Sequence, residues 1–125
     1  MLGMELLRDR GIVVLEPDGP LAAEDFEHLA ALVDPYLAEA GALRGVLIDT
    51  RRFPGWDGLD ALLAHGRFVR GHVARVKRVA IVTGSDLAGM VARVAGAILP
   101  PEIRRFEAGE RAQALAWLDR GDPVA

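Results

Sequence analysis

Between positions 47 and 63 the chain reads LIDTRRFPGWDGLDALL, which gathers Asp49, Asp57 and Asp60, with His65 and His72 a little further on. Carboxylates beside imidazoles are the groups that do general acid–base work or hold metal ions. Asp57 and Asp60, three apart, share one face of a helix. A carboxylate at the C-terminal end of a strand also stands where α/β sheets take ligands. A plainer reading competes. Aspartates in the first turn of a helix complement its dipole and its free N–H groups, which accounts for Asp57 and Asp60. Asp49 is then expected to pair with Arg51 or Arg52, and the two histidines, one heptad apart, to lie on a semi-exposed stripe. The plainer reading explains more, so no catalytic residue, metal ligand or cofactor is assigned.

Composition narrows the field further. The 125 residues include no cysteine, which removes thiolate and disulfide chemistry. There is one serine (Ser85), and threonine occurs only at 50 and 83, so hydroxyl nucleophiles are scarce. The formal net charge of −3 gives no case for nucleic-acid binding. Charge is uneven: residues 1–66 carry 5 basic and 12 acidic groups, and residues 67–105 carry 8 basic and 2 acidic. No apolar run approaches the roughly 20 residues that span a bilayer, and the N-terminus lacks the pattern of a signal peptide. A cytoplasmic protein is expected, with a basic middle suited to peripheral contact with a membrane.

The elements that would position these residues follow from periodicity. Met4–Arg8 and Gly11–Glu16 read as a hairpin around Asp9-Arg10-Gly11. Phe26, Leu29, Ala30, Val33 and Leu37 recur at helical spacing over residues 21–40, with Pro35 predicting a kink or a split into two helices. GVLIDT (45–50) and KRVAIVTG (77–84) are buried strands, and EIRRF (102–106) an edge strand. A helix over 57–76 shows Leu59, Leu62, Leu63, Gly66, Val69, Val73 and Val76 as its apolar stripe. Further helices are expected over 87–99 and 109–121. The order ββαβαβαβα predicts one α/β domain over residues 1–125. It has a mixed, mostly parallel sheet of about five strands and about four helices, largely on one face.

Four stretches carry a resemblance to a known family: AAEDFEHLAALVDPYL, LIDTRRFPGW, KRVAIVTGSD and IRRFEAGERAQALAWL, together spanning about residues 20–118. The chain resembles the SpoIIAA-like family of the STAS fold, the fold of anti-sigma-factor antagonists. The resemblance implies a mixed sheet with helices stacked on one side. It also implies a regulatory role, or binding of apolar ligands and membrane surfaces of the CRAL-TRIO kind. Regulatory STAS domains carry a phosphorylatable serine where the central strand meets the next helix. The matching positions here read Gly55-Trp56-Asp57-Gly58-Leu59. Trp56 stands in the serine's place and cannot accept a phosphoryl group, so no phosphosite is assigned.

Helix 87–99, LAGMVARVAGAIL, has Arg93 as its only charged residue and is apolar on nearly every side. Such a helix is either fully covered by the rest of the protein or meets something other than water. The leading expectation is a non-enzymatic, homodimeric binding or regulatory domain with a cleft between helices 57–76 and 87–99, lined by Phe53, Trp56, Leu59, Leu63, Met90, Val94 and Ile98. It would take an apolar small molecule or an anionic membrane surface, with Arg67, Arg70 and Arg93 toward the anion. Plain packing with homodimerisation, a protein-interaction module without ligand, and an enzyme using Asp49, Asp57 or His65 are the alternatives.

Overall fold

In the computed structural model, which describes residues 2–51, 55–84 and 102–120, the run Ile12-Val13-Val14-Leu15 lies buried along its whole length. It belongs to strand β2 (Ile12–Pro17), which pairs antiparallel with β1 (Leu2–Leu7) and parallel with β3 (Leu43–Asp49). Beyond β3 come β4 (Val76–Val82) and the edge strand β5 (Glu102–Phe106), both parallel, giving the order β1-β2-β3-β4-β5. The sheet is therefore mixed through its edge hairpin alone, as the sequence predicts. Gly11 closes that hairpin at φ +69°, and a Cβ there would stand 2.9 Å from Tyr36 Oη.

A strand side chain faces alternately up and down, so a fully apolar strand needs cover on both faces. On one face Val13, Leu15 and Leu43 pack against Phe26, Leu29, Val33 and Leu37 of α1 (Ala23–Ala40). The helix α2 (Leu59–His72) joins α1 there through Ala64 and Phe68. On the other face Ile12, Val14, Leu47, Ala80 and Val82 meet Ala114, Trp117 and Leu118 of α3 (Arg111–Arg120). Two of the three helices among the described residues thus share a face, and α3 holds the opposite one. The fourth expected helix, 87–99, lies outside the described residues.

Close approach of α3 depends on Gly45 of β3. A Cβ built at that position would fall 2.6 Å from Leu118 Cδ2, well inside contact distance. Arg10 of the hairpin turn donates from Nε and Nη2 to the Asp119 carboxylate, tying β1–β2 to the end of α3. Those hydrogen bonds hold the Asp119 carboxyl below its ordinary value of 3.8. Because its folded value is depressed, this contribution is present above 3.8 and is lost as pH falls through the folded value.

Two expectations change. Pro35 does not split α1, which runs as one helix of 18 residues across it. One backbone bond is lost, but four large side chains buried along the same face hold both halves to the sheet. α2 ends at His72 rather than Val76, and a 3₁₀ turn over Val73–Arg75 leads into β4. From that turn Arg75 caps the end of α1, donating from Nη2 to Leu37 O at 2.6 Å and from Nε to Gly41 O at 3.1 Å.

The glycines give a paired test in chemical denaturation. Gly45→Ala should destabilise the domain by about 1–3 kcal/mol, as expected for overpacking. Gly66→Ala, at a helical position with nothing within 4 Å, should stabilise it by about 0.5–1 kcal/mol.

Candidate functional site

The joint between β3 and α2 is built around Trp56. Its backbone bridges to Leu21: Leu21 N donates to Gly55 O at 2.9 Å, and Asp57 N donates to Leu21 O at 2.7 Å. Its indole Nε1–H donates to His65 Nδ1 at 2.9 Å. The imidazole lies flat on Phe26 of α1, with ring centroids 4.9 Å apart. Burial lowers the His65 pKa from its ordinary 6.5, because a charged ring would lose its hydration there. Gly58, at φ +87°, stands at the N-cap of α2 with no side chain capping it, and Asp60 supplies the acidic group of the first turn. Asp57 therefore contributes a backbone bond to Leu21 rather than the side-chain cap expected of it.

At the far end of α2 a second histidine is clasped. His72 Nδ1 lies 2.8 Å from Phe68 O, and Nε2 lies 2.7 Å from Asp34 Oδ1 of α1. Its ring stacks on Phe68 at 3.9 Å. These contacts turn the helix over relative to the sequence reading. The histidines form part of the inner face together with Ala61 and Phe68, while Leu59, Leu62 and Leu63 turn outward with exposures of 68%, 42% and 47%. Aromatic stacking, with a hydrogen bond at His65 Nδ1 and at both ring nitrogens of His72, makes the inward histidines cheap, which hydrophobicity alone does not register.

Gly66, Arg67 and Arg70 continue the exposed face one and two turns on. Helical spacing places Leu59, Leu62 and Leu63 at one end of a stripe and Arg67 and Arg70 at the other. Both arginines are exposed and form no ion pair among the described residues. Other basic groups from the same half of the chain have structural work. Arg75 caps α1, Arg78 donates to Trp117 O at 3.2 Å, and Arg105 donates to Thr83 O at 2.9 Å. Arg104 lies over the rings of Phe106 and Trp117.

The carboxylate–histidine cluster is not assembled. Asp49 turns to the α3 side, where its Oδ2 accepts from Arg111 Nη1 at 3.3 Å rather than from Arg51; Arg52, the other partner expected for it, lies outside the described residues. Arg111 also pairs with Glu16 at 3.5 Å. Asp49, Glu16, Thr50 and Arg51 border an open groove of about 670 Å³ at the C-terminal ends of β2 and β3. His65 is committed to Trp56 in the α1–α2 layer, across the sheet from Asp49. Of the residues expected to line a cleft, Trp56, Leu59 and Leu63 are described. Phe53, Met90, Val94, Ile98 and Arg93 lie outside the described residues. Among the described residues no group of three or more His, Asp or Glu side chains comes together to hold a metal, and no helix is long and apolar enough to cross a membrane.

A five-stranded mixed sheet with an edge hairpin, and a Trp-bearing joint between its central strand and α2, defines a domain of STAS type. The chain belongs to the SpoIIAA-like family, whose model matches residues 12–119. Among solved structures it is similar to an uncharacterised protein of the DUF3478 family with a SpoIIAA-like fold from Shewanella loihica PV-4. The two are 28% identical, with a TM-score of 0.70, over 94% of this chain and 92% of that one. No curated protein matches the chain.

Replacing Trp56 by Phe keeps the ring contacts of the joint but removes its hydrogen-bond donor. The variant should lose about 1 kcal/mol of stability at neutral pH in urea denaturation, consistent with one net hydrogen bond.

Proposed function

We propose that this chain is a non-enzymatic binding domain that docks on an anionic membrane surface through the outward face of α2. The observation that carries the reading is the set of three exposed leucines, Leu59, Leu62 and Leu63, on the same face as Arg67 and Arg70. Large apolar side chains spaced i, i+3, i+4 on an exposed helix form a patch that water disfavours. Arginines one and two turns further on supply the charge that anionic head groups attract, worth about 1 kcal/mol each near a charged bilayer. The geometry is that of a helix lying in the interface plane rather than crossing it. Membership of the SpoIIAA-like family, with Trp56 at the position of the regulatory serine, supports a binding domain that works without phosphorylation there.

A second reading has one specific observation in its favour. Gly66 and Gly71 on α2 have nothing within 4 Å of a built Cβ, so the helix backbone is open to close approach by another helix. The same face would then be buried in a homodimer. An apolar small molecule held between α2 and the segment 87–99 is a third form of the proposal, and its second wall lies outside the described residues.

Flotation with phosphatidylcholine vesicles, with and without phosphatidylglycerol, tests the leading reading. Wild type should float with the anionic vesicles at low salt, and much less at about 0.5 M salt, where the Debye length shrinks to a few ångströms. Leu62→Asp/Leu63→Asp and Arg67→Glu/Arg70→Glu should each abolish flotation while leaving the far-UV circular dichroism unchanged. A wild-type protein that stays with the aqueous fraction at low salt would sink the reading. A light-scattering mass of twice the chain, reduced to one by the leucine pair, would favour the dimer instead.

A further inference from the structure

The sheet ends in two edge strands that are not equivalent. β5 carries Arg104 and Arg105 side by side, so a second copy laid along it would set guanidinium against guanidinium. β1 has no such guard. It holds neither proline nor a basic residue, and it pairs with β2 in unbroken register from Leu2 to Leu7. Proline, basic side chains and bulges are the devices by which a free edge avoids another strand. The one charge of β1 is Glu5, exposed on the face away from α1. Among the described residues no strand pairs with the outer edge of β1.

The backbone decides which groups that edge offers. Along a strand the N–H and C=O of successive residues turn alternately to one neighbour and to the other. Leu7 O accepts from Arg10 N at 3.0 Å and from Gly11 N at 2.8 Å, so its peptide groups turn into the hairpin. Gly3 agrees, since a Cβ built there would lie 3.2 Å from the carbonyl oxygen of Glu16, its partner on β2. The odd residues therefore bond β2, and Leu2, Met4 and Leu6 present their N–H and C=O outward. Their side chains lie on the α1 side, where Leu2 is buried and Met4 and Leu6 are half-buried against the core. Leu32 and Tyr36, one turn apart on α1, are half-buried in the same layer, and Arg8 reaches over the Tyr36 ring to Glu39.

These groups restrict how β1 can pair with itself. A copy related by a dyad normal to the sheet runs antiparallel and keeps its α1 layer on the same side. Opposed residues must then be both even or both odd. A dyad at Glu5 would place the two carboxylates directly opposite each other, which is destabilising. Dyads at Gly3 or Leu6 leave one end of each strand unpaired. A dyad at Met4 pairs Met4 with its own copy and Leu2 with Leu6, so that each pair exchanges two hydrogen bonds and apolar side chains meet apolar ones. Glu5 then faces Gly3 of the second copy, which has no side chain to crowd the carboxylate.

We propose that β1 is the contact surface of a homodimer, pairing antiparallel with β1 of a second copy about a dyad at Met4 and joining two five-stranded sheets into one. Because the dyad is normal to the sheet, α1 and α2 of both copies lie on the same side of it. Two outward faces of α2 are thereby presented together, and linked sites gain about 10²–10⁴-fold in avidity over either alone. That gain rests on the reading of α2 as a docking face, whereas the interface does not.

The absence of cysteine makes the dyad directly measurable. Facing residues of a hydrogen-bonded antiparallel pair have Cα atoms about 5.5 Å apart, within disulfide range. Met4→Cys should therefore give a disulfide-linked dimer on mild oxidation. Leu6→Cys, whose copy lies roughly 13 Å away along the second strand, should not. By light scattering, wild type should have the mass of two chains, and so should Leu62→Asp/Leu63→Asp, which separates this interface from one on α2. Met4→Pro removes an outward N–H and leaves the bonds to β2 in place, so it should have the mass of one chain with unchanged far-UV circular dichroism. Met4→Arg, which sets like charges across the dyad, should do the same. A wild type of one chain's mass at high concentration, crosslinking at position 6 equal to that at position 4, a leucine-pair variant that is monomeric, or a folded Met4→Arg protein that stays dimeric overturns the interface. Flotation with phosphatidylcholine–phosphatidylglycerol vesicles at low salt supplies the second arm. Wild type should float at a lower phosphatidylglycerol content than Met4→Pro, and equal flotation overturns the paired docking. A dimer that never floats overturns the docking reading and leaves the interface standing.

Discussion

The architecture depends on covering β2 and β3 from both sides at once. Ile12 and Val14 point one way and Val13 and Leu15 the other, and all four are buried. Burying a side chain of this size contributes about 1.5–3 kcal/mol, so neither face can be left to water. The α3 side is closed only because Gly45 has no side chain where Leu118 presses on the strand. Among the described residues α3 covers that face, and the opposite face takes α1 and α2, with α1 supplying Phe26, Leu29, Val33 and Leu37 to the core there. α2 packs beside α1 on that face through Ala61, Ala64 and Phe68.

That attachment decides which side of α2 meets solvent. Midway along α2 the Trp56 indole and the Phe26 ring hold His65, and at its C-terminal end Asp34 and the Phe68 carbonyl hold His72. Two histidines one heptad apart act as rivets on the inner face, and the leucines of the first turns face outward. The charges separate along the same lines. Arg75, Arg78 and Arg105 are absorbed by helix caps and carbonyl groups, whereas Arg67 and Arg70 stay on the exposed side with the leucines. A face of this composition is compatible with a binding domain of the SpoIIAA-like family, and it is poorly explained as a by-product of packing.

Much of this was legible in the sequence. The apolar runs of β2, β3 and β4, the hairpin turn at Gly11 and the mismatched parity of EIRRF lead directly to the observed sheet. The Phe26–Leu37 stripe leads to the helix that covers it. The split into two helices offered at Pro35 does not occur, because proline weighs only on local bonding, whereas burial of the whole face is a property of the tertiary structure. The setting of α2 was missed for a related reason. Periodicity ranks leucine above histidine for the core, and it has no term for an imidazole that finds an indole N–H and an aromatic ring. The partner of Asp49 was missed as well. Arg111 is distant in sequence, and only the packing of α3 against β3 brings it near. The signal that could have found the joint was the substitution itself, a tryptophan in the place of a serine, followed nine residues later by a histidine on the next helix.

The central claim is that the outward face of α2 meets lipid, and the absence of cysteine permits a direct measurement of it. An environment-sensitive fluorophore can be attached to a single cysteine introduced as Leu63→Cys on α2, or as Gln113→Cys on the exposed side of α3. On anionic vesicles at low salt, the label at position 63 should shift to the blue and become accessible to a lipid-borne quencher, while the label at 113 stays in water. Equal, unshifted emission from both positions on vesicles would contradict the account.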